Sequence, residues 1–273
     1  MATLPHNPVS SYTMRRDEPT RIEGFSDAVF GFSLTLLAFS LEVPSSIEEL
    51  RLLAVAQLVP TLAAFALMCW IWAEHNSFFR QFGLQDATTI VLNSALLFLV
   101  VFYTYPLKFM AVYLWMLAAG GFGWTGIMSA IVDSGSLDAG TRAGRGNDFA
   151  LMLIYNLGFI ALFAIFALLY RHALRQKAAL ALDDVELFDA RAGQRVHLIS
   201  VGVGLAAVAV MLALPRYMAG MSGMVYMIMG PVHGVHGARS GRARERLLAA
   251  RAARLEPAEP TEPSQPAVSA DGS

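Results

Sequence analysis

The chain is poor in charge and almost without cysteine. Only 15% of its 273 residues are Asp, Glu, Lys or Arg, against about 25% in a soluble domain, while 56% are hydrophobic. A single cysteine, Cys69, excludes an intramolecular disulfide and a thiolate metal cage; it stands inside an apolar block, lipid-facing or packed. No Walker loop, His-Glu-x-x-His or Gly-x-Ser-x-Gly sequence is present. Residues for nucleotide-driven pumping and for hydrolysis are therefore missing, and an enzyme is not expected. Excess charge of one sign is lacking too: 20 Lys and Arg face 21 Asp and Glu, which points to neither nucleic acid nor an acidic substrate. The pair Arg15 and Arg16 precedes the first apolar run, but no small-x-small cleavage pattern follows, so that run reads as a retained span.

What the chain does have is long runs free of charge. They cover 28–41, 52–73, 87–107, 109–132, 149–170, 196–215 and 217–238, and about 20 apolar helical residues cross a bilayer core. Seven crossings from a cytoplasmic N-terminus would leave 13 of the 20 basic residues outside. If 109–132 returns to the side it entered from, only Arg51, Lys108, Arg142, Arg145 and Arg216 stay outside, as the positive-inside rule prefers. The expectation is an all-α polytopic membrane bundle in the lipid bilayer, with six transmembrane helices, both termini cytoplasmic, and an extra interfacial or re-entrant segment.

That extra segment, within an external insertion of about 108–148, contains Gly120-Gly121-Phe122-Gly123-Trp124. Tyr113, Trp115 and Trp124 suit headgroup level, and the polar stretch from Asp133 to Asp148 reads as an exposed external loop. The run 217–238 is irregular, with three glycines before Pro231. Residues 1–20 form a polar cytoplasmic N-terminus, 21–237 the membrane domain, and 238–273 a basic, then Pro/Glu-rich, cytoplasmic tail that is partly disordered. The Arg-rich part is either a helix lying on anionic lipid or a solvated stretch that fixes topology.

The first span opens Arg21-Ile22-Glu23-Gly24-Phe25-Ser26-Asp27. Charges at the mouth of an apolar helix need partners, and Arg21 and Asp27 are poorly placed for each other, so neighbouring helices are expected to supply them. Residues three, four and seven apart share a helix face; Ala28, Phe32, Thr35, Phe39 and Glu42 make one such stripe, with Leu36 beside it. Ordinary packing is the competing reading of that stripe.

The pattern Arg21-x-x-x-Phe25-Ser26-Asp27 resembles the transmembrane protein 175 family of endosomal and lysosomal potassium channels, in its prokaryotic single-motif form. The resemblance continues through Trp72-x-x-His75 with trailing Phe78 and Phe79, and through Asn93 with Leu96-Leu97-Phe98. It implies a homotetramer in which four first spans line a potassium pathway, while Arg21, Phe25, Ser26, Asp27, His75 and Asn93 knit the helices together. By the same resemblance Phe32 is the hydrophobic constriction, Thr35 a retained pore threonine, and Phe39 a further apolar ring; the family carries aliphatic residues where Phe32 and Phe39 stand. Glu42 would form a carboxylate ring at the external mouth.

The expected function is a passive potassium-selective or weakly selective cation leak channel in a cell membrane, of a bacterial plasma membrane type, needing no cofactor. A nonconducting membrane scaffold or small-molecule carrier with the same fold is the alternative, motivated by Phe32, Phe39 and 108–148. His233 and His236 have a helical metal-ligand spacing, but no carboxylate or thiolate nearby completes a site, so no metal is expected.

Overall fold

The computed structural model describes residues 19–39, 46, 47, 50, 58–121 and 140–255. Six α-helices follow one another among them: α1 (Arg21–Phe39), α2 (Val59–Phe82), α3 (Ala87–Gly121), α4 (Gly140–Arg175), α5 (Asp184–Ala213) and α6 (Met229–Leu255), with a 3-10 stretch, Arg216–Ile228, leading into α6. Ala87–Val112, Phe149–Arg175 and Asp184–Ala213 are long and apolar enough to cross a membrane by length and composition. The architecture is an all-α membrane bundle.

Local chemistry sets the helix ends. Gly83 closes α2 in the left-handed region, φ 60°, and its N–H returns to the Phe79 carbonyl at 2.8 Å, a backbone shape that glycine takes without strain. Asp86 then caps α3, accepting from Thr88 N–H at 3.2 Å and from the Thr89 hydroxyl at 2.6 Å. Asp183 and Glu186 form a reciprocal capping box at the start of α5, satisfying donors that would otherwise be orphaned.

The structure departs from the sequence expectation at 140–148 and around α6. Residues 108–121 continue α3 as one helix, with Pro106 inside it, and Gly140 already begins α4, so the presumed external loop is helical from 140 to 148. Residues 122–139 lie outside the described residues. Pro231 occurs in the first turn of α6, where its missing N–H would have no partner anyway; it starts a helix where the sequence reading had a span ending. That helix runs through the arginine-rich stretch to Leu255. Arg244 holds Asp189 of α5 through Nε at 3.1 and 3.0 Å, and Arg251 holds Asp183 at 2.6 Å, so part of the basic stretch is pinned along α5. Residues 1–18 and 256–273 are outside the described residues.

The core is aromatic. Phe78 and Phe82 of α2 meet Tyr170 of α4, and Phe79 packs edge-on against Phe78, all buried. Close approach of α4 to its neighbours uses glycine: a Cβ on Gly158 would run into the Tyr103 ring of α3, and one on Gly193 into the Tyr170 ring.

Candidate functional site

The first helix starts with a pairing inside itself. Thr20 N–H donates to Glu23 Oε2 at 2.6 Å, and Glu23 N–H donates to Thr20 Oγ1 at 3.2 Å. This is the Thr-x-x-Glu capping box, so the partner of Glu23 is its own helix end and not a neighbouring helix. Arg21 is exposed on the first turn, and no neighbouring-helix partner reaches it among the described residues.

One turn further on, three helices meet. Ser26 Oγ donates to the Ile22 carbonyl at 2.8 Å and accepts from Asn93 Nδ2 of α3 at 3.0 Å. Asn93 Oδ1 in turn accepts from His75 Nε2 of α2 at 2.8 Å. All three side chains are buried, and the His75 ring lies between Phe30 at 5.4 Å and Phe79 at 4.6 Å. A buried hydrogen-bonded chain of this kind leaves few alternative arrangements, because each unpaired member would carry its full desolvation cost. It fixes the rotation of α1 against α2 and α3.

Asp27 takes a different partner. The Trp72 indole N–H donates to its Oδ1 at 2.7 Å. The tryptophan belongs to the same Trp-x-x-His motif, one helical turn before His75 on the same face, so α2 grips α1 at two points. Trp72 was not singled out in the sequence as a partner of Asp27; a donor-only indole three residues from a histidine already expected to face α1 is the signal that would have found it.

With its inner face fixed, α1 presents a second face outward. Ser26, Phe30, Ser33 and Leu37 are buried, whereas Gly24, Phe25, Ala28, Gly31, Phe32 and Thr35 are exposed and Leu36 is half-buried. Phe32 is 58% exposed. Ser33 and Thr35 donate their hydroxyl protons to their own helix, Ser33 to the Val29 carbonyl at 2.9 Å and Thr35 to the Gly31 carbonyl at 2.8 Å. The Thr35 oxygen is thereby left with its lone pairs as acceptors on the open face. Phe39 ends the described helix, with its side chain outside the described residues, and Glu42 lies outside them as well.

The two histidines of α6 serve interhelical contacts. His233 bonds the Ser200 hydroxyl at 3.1 Å, and His236 bonds the Ala192 carbonyl at 3.2 Å. Among the described residues no group of three His, Cys, Asp or Glu is placed to hold a metal ion. Cys69 is half-buried on α2.

The bundle is an α-helical membrane protein whose first helix is fixed on one face by a buried polar chain and left uncovered on the other. The sequence model of the family described as Endosomal/lysosomal potassium channel TMEM175 matches residues 21–103, which contain the whole network. A protein named potassium channel, from Marivirga tractuosa, is 36% identical over 205 residues, covering 75% of this chain and 79% of the relative. A second potassium channel, from Chamaesiphon minutus, is 33% identical over 106 residues, covering 36% of this chain and 52% of the relative. The crystal structure of a variant of the potassium channel MtTMEM175, in complex with a Nanobody-MBP fusion protein, superposes with a TM-score of 0.68 at 33% identity, covering 85% of this chain and 97% of the other. The chain belongs to the TMEM175 family, whose named relatives are channels and not enzymes.

Proposed function

We propose that the protein is a passive cation leak channel, potassium-selective or weakly selective, formed by a homotetramer with one α1 from each subunit around the axis. The observation that carries this reading is the division of α1 into two faces: one tied down by Ser26 and its partners, the other carrying Phe32 and Thr35 uncovered by the chain's own helices. Gly24 and Gly31 have no heavy atom within 4 Å of an added Cβ, and small residues let membrane helices approach closely.

In such an assembly the Phe32 rings form the constriction. Hydrophobic constrictions gate by dewetting, and aromatic faces attract cations, so the rings both set the barrier and soften it for a positive ion. The Thr35 oxygens, a turn beyond, replace part of the ion's hydration shell. Phe39 adds a second apolar ring and Glu42 a carboxylate ring that raises the local cation concentration at the external mouth. Asp27, held by Trp72, supports α1 at the opposite end, where Arg21 and Phe25 are exposed. Both termini lie in the cytoplasm, as the positive-inside distribution favours, and the protein acts in a cell membrane, of bacterial plasma membrane type.

The test is ion flux in liposomes holding purified tetramer, with potassium and sodium gradients imposed in turn and a Thr35→Ala variant alongside. Potassium flux should exceed sodium flux, and the difference should shrink in the variant. No flux from folded tetramers, with or without Phe32→Ala, would favour the nonconducting scaffold or carrier.

A further inference from the structure

Away from α1, α2 and the α4–α6 helices gather ionisable groups that neither the pore stripe nor the Ser26 chain uses. Glu74 of α2 places Oε2 at 3.9 Å from Nε2 of His197 on α5, beyond hydrogen-bond distance. His197 is 1% exposed, and both its ring nitrogens are buried with no hydrogen-bond partner. Phe166 stacks on the imidazole at 4.9 Å, and Tyr170 of α4 stands at 5.3 Å. From α6, His233 comes close enough for its charge to act on His197, while bonding Ser200 of α5. The titratable groups facing His197 are therefore Glu74 from α2, Tyr170 from α4 and His233 from α6.

A buried imidazole with unpaired nitrogens carries the desolvation cost of each polar group left unsatisfied. One added proton changes the balance: the imidazolium donates an N–H to the Glu74 carboxylate, and the product is a charge-neutral, hydrogen-bonded pair. Glu74 is 31% exposed and gives the proton a way in. We propose that Glu74 and His197 form a proton-binding site off the α1 axis, in which one proton from solvent joins α2 to α5.

The consequence reaches the first helix through α2. Trp72 and His75, which flank Glu74, hold Asp27 directly and Ser26 through Asn93. Closing the Glu74–His197 gap therefore moves the segment of α2 that grips α1.

Trp70 reports the event. Its side chain interacts with the Glu74 carboxylate, so drawing that carboxylate to the protonated His197 changes the surroundings of the indole and quenches its emission. The experiment follows tryptophan emission of the full chain in nanodiscs from about pH 8 down to about pH 3, past the range in which exposed histidines switch. A quench is expected in the natural protein and in Glu74→Asp, and is expected to be absent in Trp70→Phe and in His197→Gln. In Glu74→Gln it should require a pH lower by about one unit or more, a tenfold change in proton affinity. A quench that survives His197→Gln or Trp70→Phe, an unshifted Glu74→Gln, or no quench in the natural protein would each overturn the proposal. The readout needs no ion flow, so it stands or falls separately from the channel reading.

Discussion

The Trp72 indole N–H and the Asp27 carboxylate, 45 residues apart in sequence, are joined by a 2.7 Å hydrogen bond at the edge of the bundle. The parallel connection from His75 through Asn93 to Ser26 is buried. The same two helices are thus linked once near solvent and once in the interior, and the two links differ in what their loss costs.

Removing the outer link should be mild. Trp72→Phe leaves an exposed carboxylate that water can solvate, and an exposed polar contact is worth about 1 kcal/mol or less. Asn93→Ala leaves the His75 N–H and a Ser26 lone pair buried without their partner, at a cost of about 2 kcal/mol or more. Thermal unfolding of the two variants in detergent micelles checks the order; equal losses would mean that the buried chain is not what fixes α1.

The glycines separate by neighbour. Tyr103 cannot swing aside to admit a Cβ on Gly158, because its hydroxyl is bonded to the Tyr155 carbonyl. Gly158→Ala should therefore destabilise by about 1–3 kcal/mol, as overpacking does. Gly202→Ala meets nothing within 4 Å and should stabilise α5 by about 0.5–1 kcal/mol through helix propensity. Both values are read from the same unfolding transition.

How far the sequence reaches depends on whether a feature is local. Polar and charged groups on an apolar helix are anomalous in any fold, so Ser26 and Asp27 are legible from α1 alone, while His75 and Asn93 enter the network through the family resemblance. The Thr20–Glu23 box is equally local, because its Thr-x-x-Glu spacing alone specifies it. Which donor reaches Asp27 is a tertiary matter, and no spacing on α1 alone specifies Trp72. The continuation of α6 through Arg244 and Arg251 likewise depends on Asp189 and Asp183 of another helix, while Pro231 could be read as a start or a stop until the residues before it were seen to be a 3-10 stretch.

At the loop between α2 and α3, acid should loosen the bundle. Burial acts to raise the Asp86 pKa, but the Thr89 hydroxyl, together with the hydrogen bond and charge of His172, outweighs it and holds the carboxyl below its ordinary 3.8. His172 Nε2 lies 2.8 Å from Asp86 Oδ2. A depressed folded pKa contributes stability that is present above the unfolded value and is lost as pH falls through the folded one. Asp86→Asn should lower the melting temperature at neutral pH, and the gap from the natural protein should close below about pH 4. A gap that stays constant down to about pH 2 would mean that the carboxylate's charge is not what matters.

In the proposed tetrameric channel, the Phe32 ring decides whether the uncovered face of α1 conducts. With 58% of the residue exposed, truncating it removes little packing inside the chain, so Phe32→Ala should fold and assemble as before. Around a fourfold axis, however, losing four rings widens the narrowest apolar point and keeps it wet. Potassium flux in liposomes should rise about tenfold, equivalent to about 1.4 kcal/mol off the barrier, and discrimination against sodium should weaken while Thr35 is intact. Phe32→Leu, nearer the aliphatic constriction, should fall between the two. If all three proteins conduct alike, the barrier lies elsewhere on the path, and the Phe32 face of α1 belongs to packing between subunits instead of to the pore.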